Sequence, residues 1–186
     1  IGTFHHIALN LLPKKPLVSR EQAKEIMGEM IEERGEKLSP AAALAAASRE
    51  KNGLCAATPL TLAYQERVRA LSMRDLDDVL LEALEWDVTG NKAFTHLLVD
   101  EFQDINGLQH GLVERWSAQG RSLFVIGDPD QSIYGFRGAD AECFAKLLCK
   151  HPGTLVVPLE ENYRSAPAVL QNAVSVISHN PGRERR

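Results

Sequence analysis

The sequence has few cysteines, no secretion signal and no long hydrophobic run. Its three cysteines are an odd number without C-x-x-C spacing, so neither a disulfide framework nor a zinc site is expected. The apolar runs are far too short to cross a bilayer. No positively charged segment followed by an apolar one opens the chain, and we therefore expect a cytoplasmic protein.

An excess of positive charge is also missing. The 186 residues include 21 lysines and arginines against 25 aspartates and glutamates, which gives a net charge of −4. Because a protein that coats nucleic acid is usually strongly basic, any contact with DNA must come from a local groove. The 44% of hydrophobic and 25% of charged residues are typical of a folded globular protein, so disorder is not expected. The chain opens with Ile1, and we expect it to belong to something longer.

Residues from about 4 to 90 are predicted to be almost entirely helical. Ser19 has a glutamine three positions later, which is the spacing of a capping box, and Ser39 precedes a proline. A Thr-Pro break at 58–59 precedes another helix, and Asp75 is predicted to cap the next one. After Ser19 and Asp75, apolar residues recur at intervals of three and four, as on the buried face of a helix.

From about residue 94 the pattern changes to short apolar runs that alternate with helical stretches. The runs are predicted to be strands buried on both faces, at 97–99, 123–126 and 155–157. The helices are predicted at 108–118, at 139–150 and from Ser165 onwards. Strands that alternate with helices predict a parallel α/β sheet with right-handed crossovers.

The first predicted strand ends in two adjacent carboxylates, Asp100 and Glu101. In an open parallel sheet, ligands bind in the crevice beyond the carboxyl ends of the strands. One carboxylate there can hold Mg²⁺ through its waters, and the other can orient and deprotonate an attacking water. Taken alone, an Asp-Glu pair is more often a solvated turn after a strand.

The next strand ends in a segment of 13 residues, 127–139, with a second set of polar and aromatic side chains. The amide of Gln131 can donate to a phosphate oxygen and accept from water. Tyr134 and Phe136 are two positions apart, so an extended chain would place both rings on one side as a stacking platform for bases. Arg137 adds a contact to phosphate or to a base. The alternative is that the aromatic residues belong to the core and the glycines form turns.

Together these segments resemble those of a known family. Residues 99–104 and 127–139 resemble motifs II and III of superfamily 1 DNA helicases of the UvrD/Rep/PcrA type. Residues 159–165 resemble motif IV of the same family, and residues 2–5 resemble the Thr-Phe-His segment that follows its motif Ia. The similarity is dense from about 61 to 180 and thin from 6 to 60.

The resemblance implies a role for each matching residue. Asp100 would be the Mg²⁺ carboxylate, Glu101 the catalytic base and Gln131 the sensor of the γ-phosphate. Arg164 would reach the γ-phosphate from the second motor domain, the alternative being an ion pair with Glu160 or Glu161. The residues implied in contact with single-stranded DNA are Thr3, His5, Tyr134, Phe136 and Arg137. For Thr3 and His5 the alternative is an ordinary helix start.

The resemblance also implies a fold, cofactors and partners. The expected fold is α/β: part of a RecA-like P-loop NTPase sheet with an N-terminal all-helical insertion subdomain. Residues 1–90 would form the insertion, 91–158 the later part of the first RecA-like domain and 159–186 the start of the second. ATP and Mg²⁺ would be the cofactors, and single-stranded DNA and its junctions with duplex DNA the partners, with movement in the 3′-to-5′ direction.

The sequence lacks several motifs of the family, among them the loop that holds the phosphates of the nucleotide. No G-x-x-x-x-G-K-S/T loop occurs in these residues, and the later motifs V and VI are also absent. We therefore expect the chain alone to be inactive, although its parent would be an ATP-dependent helicase. The alternatives are the motor part of a helicase–nuclease of the RecB/AddA kind, a non-catalytic RecA-like binding module, and another RecA-like ATPase.

Overall fold

The computed structural model describes residues 1–86, 94–135, 138–140 and 142–179, which contain two strands and a larger number of helices. The chain divides into two compact units, Ile1–Phe144 and Ala145–Arg186. Within the described ranges, no helix is both long enough and apolar enough to span a membrane. The helices are α1 (Phe4–Leu11), α2 (Arg20–Arg34), α3 (Pro40–Lys51), α4 (Pro59–Ala70), α5 (Leu76–Glu85), α6 (Gly107–Ser117), α7 (Cys143–Lys150) and α8 (Pro167–Ile177), and the strands are β1 (His96–Val99) and β2 (Ser122–Val125).

The helix starts in the first half of the chain are set by local hydrogen bonds. Ser19 Oγ accepts from the backbone N–H of Gln22 at 3.1 Å, and Gln22 Oε1 accepts from that of Ser19 at 2.9 Å. Thr58 and Asp75 form reciprocal capping boxes of the same kind at α4 and α5. The prediction of helices capped at Ser19, Ser39 and Asp75 is thereby confirmed.

Helices α2 and α4 end in the same hydrogen-bonded turn but with different residues. In α2 the N–H of Glu36 donates to Ile31 O at 3.0 Å, and the left-handed residue between helix and turn is Gly35, with φ 64°. In α4 the N–H of Met73 donates to Val68 O at 3.1 Å, and the left-handed residue is Ser72, with φ 55°. Both are Schellman motifs, whose left-handed position favours glycine because a Cβ crowds the following carbonyl oxygen.

Replacing Ser72 by glycine is therefore expected to raise the free energy of unfolding of the chain by about 1 kcal/mol. The reverse change, Gly35→Ser, is expected to lower it by a similar amount. A Cβ at Gly35 would meet no atom of the described residues within 4 Å, so the cost there comes from the backbone. Urea unfolding followed by circular dichroism measures both effects. Gly153→Ser is the control, since Gly153 also has open space around it in the part of the chain that the structure describes but has no left-handed φ. An equal loss in Gly153→Ser would contradict the backbone explanation.

The first three helices of the α2–α5 segment bury a common apolar core. Small alanines on α3 face the larger side chains of α2 and α4, which lets the helices approach closely. The buried members of this core are Ala23, Ile26, Met27, Met30, Ile31, Ala43, Ala47, Leu60, Tyr64 and Val68.

A buried lysine ties α3 to α5. The side chain of Lys51 is only 3% exposed, and its Nζ lies 2.6 Å from Asp75 Oδ2 and 2.7 Å from Asp78 Oδ1. It also lies over the ring of Tyr64, 5.9 Å from the centroid. Burial raises the pKa of Asp75 while Lys51 opposes that rise, and burial together with the nearby carboxylates raises the pKa of Tyr64. The two carboxylates also cap α5, so this cluster fixes the end of one helix to the start of another.

The helical segment and the sheet belong to one compact unit because α5 packs against both α1 and α6, and α6 packs against β1. Buried Arg74 precedes α5 and holds the connection before it: Nη1 donates to Glu82 Oε2 at 2.7 Å and Nη2 to Pro13 O at 2.9 Å. Near the C-terminal end of α6, the ring of buried Trp116 stacks on Phe4 of α1. The earlier helices α1 and α5 thus contact the sheet through α6, the helix between the two strands.

Strands β1 and β2 are parallel, as predicted, with His96 opposite Ser122 and Val99 opposite Val125. The prediction that they are buried on both faces is wrong. Leu97 and Val99 are buried, whereas Leu98 is 73% exposed and Phe124 57% exposed. The reason is that α6 is the described helix packed against β1, and one helix layer covers one face of a sheet.

The predicted third strand and two predicted helix starts differ from the structure. Residues 155–157 are exposed and pair with no strand in the described part of the chain, because a strand forms only where a neighbouring edge accepts its hydrogen bonds. Helix α7 begins at Cys143 rather than at 139, since Ala139 is held in a bridge to Asn106. Helix α8 begins at Pro167 rather than at Ser165, because the residue before a proline is driven to extended backbone.

Candidate functional site

Two carboxylates follow β1 at a sharp turn of the chain. Asp100 Oδ1 accepts from the backbone N–H of Glu101 at 2.9 Å, and both side chains are exposed. Glu101 has φ 50° and ψ 46°, a left-handed conformation that is unfavourable for a residue with a Cβ. Residues Phe102–Asp104 then form a 3₁₀ turn. Strained backbone of this kind is concentrated at functional sites, which makes Glu101 a candidate functional residue.

The side chain of Gln103 is buried directly behind this turn and is only 2% exposed. Its Nε2 donates to Glu101 Oε2 at 2.7 Å, and its Oε1 accepts from the backbone N–H of Asp128 at 3.0 Å. The backbone carbonyl of Gln103 also accepts from Ser132 Oγ at 3.2 Å. Gln103 therefore joins the turn after β1 to the turn after β2.

The turn after β2 is organised by Asp128. Its Oδ1 accepts from the backbone N–H of Asp130 at 3.0 Å, which starts the 3₁₀ turn Pro129–Gln131. Its Oδ2 accepts from Gln131 Nε2 at 2.8 Å, so the exposed amide of Gln131 is held by a hydrogen bond. A chain of hydrogen-bonded residues, Glu101–Gln103–Asp128–Gln131, thus crosses the carboxyl ends of the two parallel strands; we refer to it as the relay.

Gly127 makes room for the relay. A Cβ at this position would collide with Gln103 Oε1 and would lie 2.9 Å from the backbone nitrogen of Phe102. It would also lie 3.2 Å from Phe144 Cζ. The glycine is needed here for close approach between two chain segments.

The structure brings together three of the residues singled out in the sequence: Asp100, Glu101 and Gln131 lie at the same edge of the sheet. Half-buried Tyr134 follows Gln131, and its backbone carbonyl accepts from the N–H of Ala139 at 3.2 Å. Phe136, the other ring of the predicted stacking platform, and Arg137, the predicted contact to phosphate or to a base, lie outside the described residues.

The remaining candidates lie elsewhere. Thr3 is the N-cap of α1, where its Oγ1 accepts from the N–H of His6 at 3.3 Å, and His5 is half-buried in the same helix. Arg164 is exposed in the second compact unit, where its backbone N–H donates to Asn162 Oδ1 at 3.1 Å.

The alternative for Arg164 is an ion pair with a neighbouring glutamate, and within the described ranges this ion pair is not formed. Neither Glu160 nor Glu161 contacts its guanidinium there. Glu161 instead accepts a hydrogen bond from the Tyr163 hydroxyl, which raises the pKa of that tyrosine.

The exposed carboxylate of Asp100 is chemically suited to Mg²⁺. Within the described residues no group of three or more His, Cys, Asp or Glu side chains is arranged to hold a metal ion. Magnesium does not need such a cage, because it is usually bound by one or two carboxylates together with water and phosphate oxygens. The donor set at this edge of the sheet therefore fits a magnesium ion that arrives with a nucleotide.

Comparison with known proteins identifies the family. The family described as "UvrD/REP helicase N-terminal domain" matches residues 9–152, which is most of the chain. The chain belongs to this family. The matched range contains Asp100, Glu101, Gln131 and Tyr134, but not Thr3, His5 or Arg164.

Relatives with related names are found in bacteria and yeast. The ATP-dependent DNA helicase srs2 of Schizosaccharomyces pombe is 37% identical over 126 residues, covering 66% of this chain and 14% of that protein. DNA helicase II of Escherichia coli is 37% identical over 128 residues, covering 65% of this chain and 18% of that protein. The ATP-dependent DNA helicase UvrD1 of Mycobacterium tuberculosis is 34% identical over 168 residues, covering 82% of this chain and 22% of that protein. This helicase domain thus spans less than a quarter of the length of these relatives.

The sequence did not reveal the role of Gln103. It stands in the first motif beside the two carboxylates, but nothing in a sequence shows that its amide reaches Asp128, 25 residues later. The available signal is its spacing: a residue two positions after Glu101 in a tight turn can fold back onto that carboxylate. The partner in the second turn follows only from the strand register.

Proposed function

We propose that this chain is part of an ATP-dependent DNA helicase that couples hydrolysis of Mg-ATP to movement along single-stranded DNA in the 3′-to-5′ direction. The observation that carries the proposal is the relay, which connects an exposed carboxylate after one strand to an exposed amide after the next. Ligands of open parallel sheets bind at this edge. The family membership and the names of the relatives support the same function.

In this proposal each residue of the site has one task. Asp100 holds the magnesium ion, which neutralises charge on the phosphates when it is bound. Glu101 accepts the proton of the attacking water, and Gln131 contacts the γ-phosphate. Arg164 stabilises negative charge on the γ-phosphate from a second motor domain.

The DNA contacts and the domain organisation extend the proposal. Thr3 and His5 contact the DNA backbone, Tyr134 and Phe136 stack on bases of single-stranded DNA, and Arg137 contacts a phosphate or a base. Residues 91–158 belong to a RecA-like P-loop domain, residues 1–90 to its helical insertion, and residues 159–186 to the second RecA-like domain.

The test is a comparison of DNA-stimulated ATP hydrolysis by the 186-residue chain and by the full-length protein that the proposal implies, which would also carry a phosphate-binding loop. The full-length protein is expected to hydrolyse ATP and unwind a duplex with a single-stranded 3′ tail. The chain is expected to do neither, because its sequence contains no G-x-x-x-x-G-K-S/T loop to hold the β- and γ-phosphates. Release of phosphate is measured with and without single-stranded DNA. A full-length protein without DNA-stimulated hydrolysis would overturn the proposed function, and an active chain would overturn its expected inactivity.

A further inference from the structure

The amide of Gln103 has a fixed orientation in the relay. A carboxylate such as Glu101 only accepts hydrogen bonds at neutral pH, and the backbone N–H of Asp128 only donates. The nitrogen of the Gln103 amide must therefore point to Glu101 and its oxygen to Asp128, as their separations of 2.7 Å and 3.0 Å indicate. A flipped amide would place its oxygen against the carboxylate of Glu101 and its NH₂ group against the N–H of Asp128, so neither hydrogen bond could form. The two contacts depend on each other because one rigid plane makes both.

Burial makes this link stiff as well as oriented. Gln103 is 2% exposed, and the bare Cα of Gly127 packs against its amide oxygen. Its own carbonyl accepts from Ser132 Oγ, one residue beyond Gln131. A displacement of the turn at 128–132 therefore has a direct path to the amide and from there to the carboxylate of Glu101.

Glu101 is a residue whose position needs such support. Its backbone is in the left-handed region, and its side chain is otherwise exposed. Gln103 supplies the hydrogen bond that orients its carboxylate within the described residues.

We propose that Gln103 is a positioning residue that couples the contact of Gln131 with the nucleotide to the orientation of Glu101. The inference rests on the proposed function, in which Glu101 accepts a proton and Gln131 contacts the γ-phosphate. When the nucleotide engages Gln131, the turn that begins at Asp128 shifts, and the Gln103 amide brings the carboxylate towards the attacking water. Hydrolysis then proceeds only when the sensor is engaged.

The experiment uses the full-length protein and measures kcat and KM for ATP with single-stranded DNA present. Gln103→Met removes both amide contacts at nearly the same volume. It is expected to lower kcat by about 100-fold, the loss typical of a misplaced reacting group, with KM for ATP little changed. Gln103→Glu keeps an acceptor for the Asp128 N–H but loses the donor to Glu101, and it is expected to lose kcat as well. Gln109→Met is the matched control, since the hydrogen bonds of the Gln109 side chain to described residues cap its own helix α6.

Coupling is read from a double-mutant cycle with Gln131→Ala. In the wild-type background this change is expected to lower kcat strongly, and in the Gln103→Met background it is expected to add little, because the connection is already cut. Thermal melting of every variant checks that the fold is retained.

The outcomes separate the two proposals. An inactive wild-type protein would overturn the proposed function. An active wild type in which Gln103→Met matches Gln109→Met, or in which the effects of Gln103→Met and Gln131→Ala simply multiply, would overturn the role of Gln103 alone. A Gln103→Glu variant with wild-type kcat would also overturn it, as would a rise in KM at unchanged kcat. If Gln103→Met unfolds at a lower temperature than the wild type, the kcat of Gln103→Glu decides instead, because that variant keeps the contact between the two turns.

Discussion

Replacing Glu101 by glutamine in the full-length protein is expected to lower ATP turnover by about 10²- to 10⁴-fold, the contribution typical of a general base. Nucleotide binding is expected to remain nearly intact. Glutamine has the same shape, and its Oε1 can still accept from Gln103 Nε2, so the relay keeps its geometry. What is lost is the ability to take a proton from water. Steady-state phosphate release and binding of a fluorescent ATP analogue measure the two quantities.

Glu85→Gln is the control for this experiment. Glu85 is exposed at the end of α5, so the same chemical change there removes a charge without touching the site. Turnover in Glu85→Gln should equal that of the wild type. If Glu101→Gln also retained wild-type turnover, the base would have to be another residue. The proposed role of Gln103 in orienting Glu101 for hydrolysis would then be wrong as well.

Replacing Lys51 by methionine is expected to lower the free energy of unfolding by about 3 kcal/mol, because it leaves two largely buried carboxylates without their cation. This figure is the lower end of the range for buried pairs, since the side chains of Asp75 and Asp78 keep 21% and 16% exposure. Urea unfolding of the 186-residue chain measures the loss. The loss should shrink as the pH falls, because burial raises the pKa of Asp75 and a protonated Asp75 needs no cation.

Lys15→Met provides a matched comparison. Lys15 also pairs with a carboxylate, Glu82 at 3.2 Å, but its side chain is 32% exposed. An ion pair that faces solvent contributes between about 0 and 1 kcal/mol, so this variant should unfold close to the wild type. If Lys51→Met and Lys15→Met lowered the free energy of unfolding equally, burial of the Lys51 ion pairs would not increase their contribution to stability. Adding Asp78→Asn to Lys51→Met should recover part of the loss, since one unpaired charge is removed.

Features that depend on neighbours in the chain could be predicted from the sequence. The capping boxes at Ser19 and Asp75 involve residues three positions apart, so the pattern of side chains contains the whole interaction. The parallel sheet was predicted as well, because strands that alternate with helices have few other arrangements. Asp100 and Glu101 are identified as candidates because they follow directly from the end of a strand. Gln131, which lies in the segment after the next strand, is identified by the chemistry of its amide.

Features that depend on distant partners could not be predicted. Residues 155–157 have the composition of a strand but are exposed and pair with no strand in the described ranges, and composition does not show whether an edge is available. The ion pairs of Lys51 join positions 24 and 27 residues apart, and its place in an alanine-rich helix suggests only a solvated cation. Burial of both strand faces was inferred from apolar runs, whereas the packing of one helix layer leaves Leu98 and Phe124 exposed.

The absence of a side chain at Gly127 limits which residues the two turns can accommodate. A Cβ at this position would take the space of the Gln103 amide oxygen and press on the backbone of Phe102. A larger residue at position 127 would displace the Gln103 amide, which could then no longer reach both Glu101 and Asp128. The link between the two turns therefore depends on position 127 as well as on Gln103 itself.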